Sequence, residues 1–208
     1  MHVAARAGLI GPNAIIRVAE VLPARVGDAV THALFEQAGQ LHYLLQPPHD
    51  MVPELEVLAL HRVLRRELGW ALARQVTREA GQRTAAYLLA HRIPRPVQRL
   101  LKLLPAPLAA RVLLQAISRN AWTFVGSGRF SATPGTPVLL QIEHNPLCRG
   151  VVADAPACDF YAATFETLFR ELVHPRSRVV EVACEASGGN ACRFEIRWSQ
   201  AFAPGAPA

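Results

Sequence analysis

Residues 180–198 read VEVACEASGGNACRFEIRW, and the fold turns on this stretch. Val180 and Val182 suit a strand, Ser187-Gly188-Gly189-Asn190 a turn, and Phe194, Ile196 and Trp198 recur at every second position. Period-two apolar spacing beyond a glycine-containing turn is the pattern of an antiparallel hairpin with one buried face. Cys192 shares the face of Phe194, Ile196 and Trp198, so it also points inward. Glu181 and Cys184 are an odd number of residues apart and fall on opposite faces of a regular strand. Both reach one point only if the strand bends or ends between them, a departure that the glycine-containing turn makes reasonable.

Upstream, Cys158, Tyr161, Phe165, Leu168 and Leu172 share one face of a helix that His174-Pro175 stops. Cys158 lies near the start of that helix, where the helix dipole favours a thiolate, and it faces the hairpin. Cys158, Glu181, Cys184 and Cys192 thus stand at intervals of 23, 3 and 8 residues. Three thiolates and one carboxylate can close a tetrahedral zinc site with no open position, which predicts a structural role. The same cysteines admit two other readings, a disulfide across the turn between Cys184 and Cys192 and plain buried thiols. Met1 to Glu20 lacks a continuous apolar signal segment, so a reducing cytoplasm is expected, and that setting favours metal.

The order of elements extends the fold. Up to about residue 120 the pattern is helical. One helix opens at Gly11-Pro12-Asn13, another is expected to start at Pro23, and a long stripe runs from Pro53 with an end or kink at Gly69. Two shorter helices are expected at 96–104 and 107–119. Beyond Ala121, Trp122, Phe124 and Val125 lead into Gly126-Ser127-Gly128. Phe130, a turn at Thr133-Pro134-Gly135-Thr136 and the alternating Val138, Leu140 and Ile142 then predict a second hairpin. The expectation is an α+β fold, an antiparallel sheet of two hairpins with a packed helix, preceded by a helical half. The expected divisions are a helical part over 1–120, a ligand-binding module over 121–199 and a disordered tail over 200–208.

Composition limits the function classes. Of 208 residues, 51% are hydrophobic and 18% charged, which is globular material, and no apolar run reaches the length of a membrane span. The net charge is +6. It concentrates between Arg62 and Arg119, where twelve basic residues face only Glu67 and Glu79. A basic surface suits an acidic partner or ligand, or is simply a solvated helical face.

Glu181-x-x-Cys184 followed by Gly188-Gly189 and Cys192-x-Phe194, with Cys158 opening an aromatic helix, resembles the 4-vinyl reductase domain. That domain is a small-molecule-binding module also found in the sensor regions of aromatic-responsive transcription activators. The resemblance implies a structural zinc on Cys158, Glu181, Cys184 and Cys192. It also implies a fold like that of vesicle-tethering-complex subunits, with helices and an antiparallel sheet around an apolar pocket, frequently dimeric. Asn145-Pro146-Leu147-Cys148-Arg149-Gly150, Cys158-Asp159-Phe160-Tyr161 and Phe165-Glu166-x-Leu168-Phe169 resemble a narrower branch, the BchJ-like 4-vinyl reductases of bacteriochlorophyll biosynthesis.

The branch label implies reduction of the 8-vinyl group of a chlorophyllide precursor. Gly126-Ser127-Gly128 lies in a hairpin and lacks the third glycine of a dinucleotide fingerprint, and no cysteines are left for an iron–sulfur cluster. A non-enzymatic carrier is therefore the favoured expectation. It would bind protoporphyrin, its magnesium form or divinyl protochlorophyllide and serve magnesium chelatase or the following methyltransferase. A homodimer is expected, with no nucleic-acid partner and at most peripheral membrane contact. A vinyl reductase and a ligand sensor or adaptor are the alternatives. Trp122, Phe124, Phe130, Phe160, Tyr161 and Phe165 are candidate pocket walls. His144 is the candidate axial ligand, Cys148 could approach the ligand, and Arg149 could pair with a propionate. Ordinary core packing, loop hydrogen bonding and surface solvation explain these residues as well.

Overall fold

The computed structural model describes residues 8–198. A strand of two residues, β1 (Leu9–Ile10), pairs antiparallel with β2 (Val52–Pro53). Between them run α1 (Asn13–Val26), α2 (Asp28–Gln37) and the short α3 (His42–Leu45). Pro23 does not open a helix; it lies inside α1 on its exposed side. The break falls at Gly27, whose φ of 81° and ψ of 165° leave helical space at no steric cost for glycine.

α4 (Glu54–His91) is the long helix of the fold, interrupted at Gly69 by φ 70° and ψ 166° as the sequence predicts. Its first half buries Val57, Leu60, Val63 and Leu64, its second half the small residues Ala73, Ala80, Gly81 and Ala85. α5 (Arg95–Leu103), α6 (Ala106–Arg119) and the one-turn α7 (Trp122–Val125) follow. Then come β3 (Arg129–Thr133), β4 (Val138–Glu143), α8 (Asp159–Leu172), β5 (Arg178–Ala183) and β6 (Cys192–Arg197).

The two hairpins join into one antiparallel sheet of order β3-β4-β6-β5, with Leu140 opposite Phe194 at the central seam. Val138, Leu140, Ile142, Phe194 and Ile196 form its inner face, which meets Phe165, Phe169 and Leu172 of α8 in a hydrophobic core continuous with α1, α4 and α6. The opposite side of α8 packs on the second half of α4. The small residues of α4 permit the approach: Gly81 sits against the Phe160 carbonyl and Ala163, and Thr164 Oγ1 donates to the Gly81 carbonyl at 3.1 Å. The parity of Glu181 and Cys184 is resolved as expected, by a register shift between Glu181 and Ala183 and by the end of β5 before Cys184. The tail expected over 200–208 lies outside the described residues.

Candidate metal centre and aromatic cluster

Four sulfur atoms converge where the sheet meets the start of α8. Cys148 comes from the β4–α8 loop, Cys158 stands immediately before α8, Cys184 follows β5 and Cys192 opens β6. Cys148 Sγ lies 3.1 Å from Cys158 Sγ, 3.5 Å from Cys184 Sγ and 3.6 Å from Cys192 Sγ. The other three separations are 3.5, 3.7 and 3.8 Å. All six are far longer than the roughly 2.05 Å of a disulfide, and all four thiols are free and buried. The six similar edges make a near-regular tetrahedron of soft donors, the arrangement of a closed metal site.

The thiols also bias one another. Hydrogen bonds from the Cys148, Cys158 and Cys192 thiols push the Cys184 thiol far down. Burial pushes Cys158 up, and its hydrogen bond with Cys148 pushes Cys192 up. Without a metal the cluster therefore keeps one thiolate surrounded by S–H donors. A divalent ion takes the place of those protons.

The gathered set differs from the expected one at its fourth member. Cys148 stands among the sulfurs, and Glu181 does not. Glu181 Oε2 instead accepts the Cys158 backbone N–H at 2.7 Å, serving from β5 as the acceptor for an otherwise unpaired donor at the start of α8. Its Oε1 is buried without a hydrogen-bond partner. Burial, followed by the nearby Cys184 sulfur, raises its pKa to about 8.

A shell of polar contacts fixes the loop that delivers Cys148. Asn145 Nδ2 donates to Cys158 Sγ at 3.2 Å, and its Oδ1 accepts the Leu147 N–H at 2.9 Å. Glu185 accepts the His144 and Asn145 backbone N–H groups at 2.6 and 2.9 Å. From α4, Arg65 donates to the Leu147 and Ala157 carbonyls at 3.0 and 3.2 Å, so one guanidinium ties together the approaches to two cysteines. Arg62 and Arg74 make similar bonds to the Arg149 and Pro156 carbonyls. Part of the basic charge of α4 thus serves the loops of this centre.

The candidate pocket residues separate into two groups. Phe124, Phe130, Tyr161 and Phe165 pack together, with ring centroids 5.4 Å apart for Phe124–Phe130 and 6.3 Å apart for the stacked Tyr161–Phe165. Phe160 extends the cluster through Tyr161, whose hydroxyl donates to the Phe124 carbonyl at 2.7 Å. Phe160, Tyr161 and Phe165 are buried, Phe124 and Phe130 half-buried, and Trp122 is 61% exposed at the entrance to α7. His144 is exposed at a φ of 53°, which turns the chain at the end of β4.

Arg149 is engaged elsewhere, 2.6 Å from the buried carboxylate of Glu54. Glu54 also accepts the backbone N–H and hydroxyl of Ser127 at 2.8 and 2.7 Å. Burial alone would raise its pKa, but these hydrogen bonds and the Arg149 charge hold it below the usual carboxylate value. Sequence reasoning misses this knot, because Glu54 reads only as an acidic residue in a first helical turn. Gly126 is the one available signal, since any side chain there would collide with the Glu54 carboxylate.

The 4-vinyl reductase domain matches residues 138–198, the segment from β4 to β6 that holds all four cysteines. The bacteriochlorophyll synthase 23 kDa chain of Cereibacter sphaeroides is 44% identical over 187 residues, covering 90% of this chain and 89% of that one. The protein belongs to this family. Its member from Rhodobacter capsulatus is 40% identical over 189 residues, covering 90% of this chain and 86% of the relative. The fold is also that of H-NOX proteins. The K. algicida H-NOX protein superposes with a TM-score of 0.61 at 9% identity, covering 93% of this chain and 98% of its own. An oxygen-binding H-NOX domain related to soluble guanylate cyclases gives 0.53 at 13% identity, covering 92% and 96%. Family membership agrees with the resemblance carried by Glu181-x-x-Cys184 and Cys192-x-Phe194.

Proposed function

We propose that the protein is an accessory factor of bacteriochlorophyll biosynthesis that binds a tetrapyrrole intermediate and presents it to a pathway enzyme. The observation that carries this reading is near-full-length similarity to two bacteriochlorophyll synthase 23 kDa chains. The fold supports it, since H-NOX relatives are described in terms of heme and porphyrin distortion. The half-exposed end of the aromatic cluster, Trp122, Phe124 and Phe130, offers flat apolar area for a macrocycle face. Magnesium chelatase and the following methyltransferase are the partners that this role calls for, and a homodimer is the assembly expected with it.

In this reading a zinc ion held by Cys148, Cys158, Cys184 and Cys192 is structural. A Zn–S bond of about 2.3 Å in a tetrahedron requires S···S edges of about 3.8 Å, to which the cluster needs only slight expansion. Four thiolates leave no open position, so the ion would tie the β4–α8 loop to both strands of the β5–β6 hairpin.

The test is an absorption titration of the purified chain with protoporphyrin and with magnesium protoporphyrin. A shifted Soret band that weakens in Trp122→Ala and Phe130→Ala supports the carrier role. No shift and no tryptophan quenching with either pigment sinks it. Conversion of a divinyl to a monovinyl pigment with a defined electron donor would replace it with a reductase.

A further inference from the structure

We propose that the α5–α6 hairpin is a docking face for an anionic lipid bilayer, a role independent of the pigment reading. From Ala80 to Ile142 the chain has no Asp or Glu, yet it carries Arg83, Arg92, Arg95, Arg99, Lys102, Arg111, Arg119 and Arg129. Lys102 meets Glu171 at 3.6 Å; Arg92, Arg95, Arg99, Arg111 and Arg119 enter no ion pair among the described residues. Basic charge on this face is therefore not balanced by acidic neighbours in its own stretch.

The same surface is apolar. Leu100 and Leu103 are 57% and 83% exposed, Leu108 and Val112 46% and 44%. On α5 the helical period sets Leu101 toward the core and leaves Arg95, Arg99 and Leu103 in line on the outside, with Leu100 beside them. On α6 Ala109, Ala110, Leu113, Leu114 and Ile117 are buried, while Leu108, Arg111, Val112, Gln115 and Arg119 share the exposed face.

Leucines flanked by unpaired arginines on short helices match the chemistry of a membrane interface. The apolar side chains enter the acyl boundary, and the guanidinia meet lipid phosphates. No helix among the described residues is long and apolar enough to cross a membrane, so the contact is one of lying on the surface. A protein groove would also take the leucines, but the excess positive charge around them selects a surface with dense negative charge.

The experiment is co-sedimentation of the full chain with vesicles of phosphatidylcholine alone and of phosphatidylcholine with phosphatidylglycerol. Binding is expected to the phosphatidylglycerol vesicles, with loss in high salt. The double variant Leu100→Ser/Leu103→Ser should bind at least tenfold more weakly with its circular dichroism unchanged. Arg95→Gln/Arg99→Gln should lose roughly twentyfold or more, at about fivefold per cation. Leu45→Ser, at a 79% exposed leucine of α3, serves as the control and should bind as the parent does. Absence of binding, equal binding to neutral vesicles, or undiminished binding of both double variants overturns the proposal. So does self-association that both double variants abolish in a chain that ignores vesicles.

Discussion

Cys148 Sγ lies 3.1 Å from Cys158 Sγ, although the two residues enter the site from opposite ends of an irregular loop. The geometry makes Cys148 the fourth sulfur and leaves Glu181 to hold the Cys158 backbone. Two substitutions separate these roles. Cys148→Ser should reduce bound zinc well below one equivalent or weaken its affinity at least tenfold. Glu181→Gln retains an oxygen for the Cys158 N–H and should keep the full equivalent, with a stability change of about 1 kcal/mol. Elemental analysis and a competitive chelator titration check both. Metal retained in the serine variant and lost in the glutamine variant would return Glu181 to the ligand set.

The Glu54–Arg149 pair joins the first turn of α4 to the loop that bears Cys148. Glu54→Ala strands the Arg149 guanidinium and the Ser127 N–H together. Loss of one partner of a buried ion pair costs about 3–5 kcal/mol, and Arg149 is partly exposed, so a cost nearer 3 kcal/mol is expected. Urea unfolding measures it. Parent-like stability would mean that water replaces the carboxylate without loss.

Gly81 governs how closely α4 and α8 approach. In Gly81→Val the new side chain meets the Phe160 carbonyl, a backbone atom that cannot swing aside, and Ala163 behind it. The helices must separate, at a cost of about 3 kcal/mol or more. Thermal unfolding should show a drop of several degrees. The next residue, Gln82, is exposed, so Gln82→Val in the same helix should be nearly silent. Equal losses in the two variants would trace the effect to helix propensity and not to the close approach.

The sheet and three of the four cysteines are legible in the sequence because strand parity and helical spacing are local properties. The need for a bend after Glu181 follows from parity alone, and the register shift supplies it. Spacing does not assign Cys148 to the cluster, because residues 144–157 have no periodicity. Their course is set by Glu185, Arg62 and Arg65, which are distant in sequence. Pro23 misleads for a related reason. Proline adopts helical φ readily, and its exposed position in α1 tolerates a missing N–H donor, so Gly27 and not Pro23 marks the boundary.

His61 sets an acid limit on stability. It is buried in α4, its Nε2 3.3 Å from the Ala14 carbonyl and its ring edge-on to Phe160 at 6.0 Å. Burial, reinforced by the Arg65 charge, pushes its pKa down to about 3. The unfolded chain takes up this proton near pH 6.5, the folded chain only near pH 3, so between these values the unfolded state holds more protons. Stability contributed by neutral His61 is complete above about pH 6.5 and declines as pH falls toward 3, by about 1.4 kcal/mol per unit. Between about pH 7.5 and 5.0 the parent should lose about 2 kcal/mol more than His61→Gln in urea unfolding. Both proteins share the cysteine cluster, so its own acid sensitivity cancels in the difference, and equal pH slopes would remove His61 as the cause.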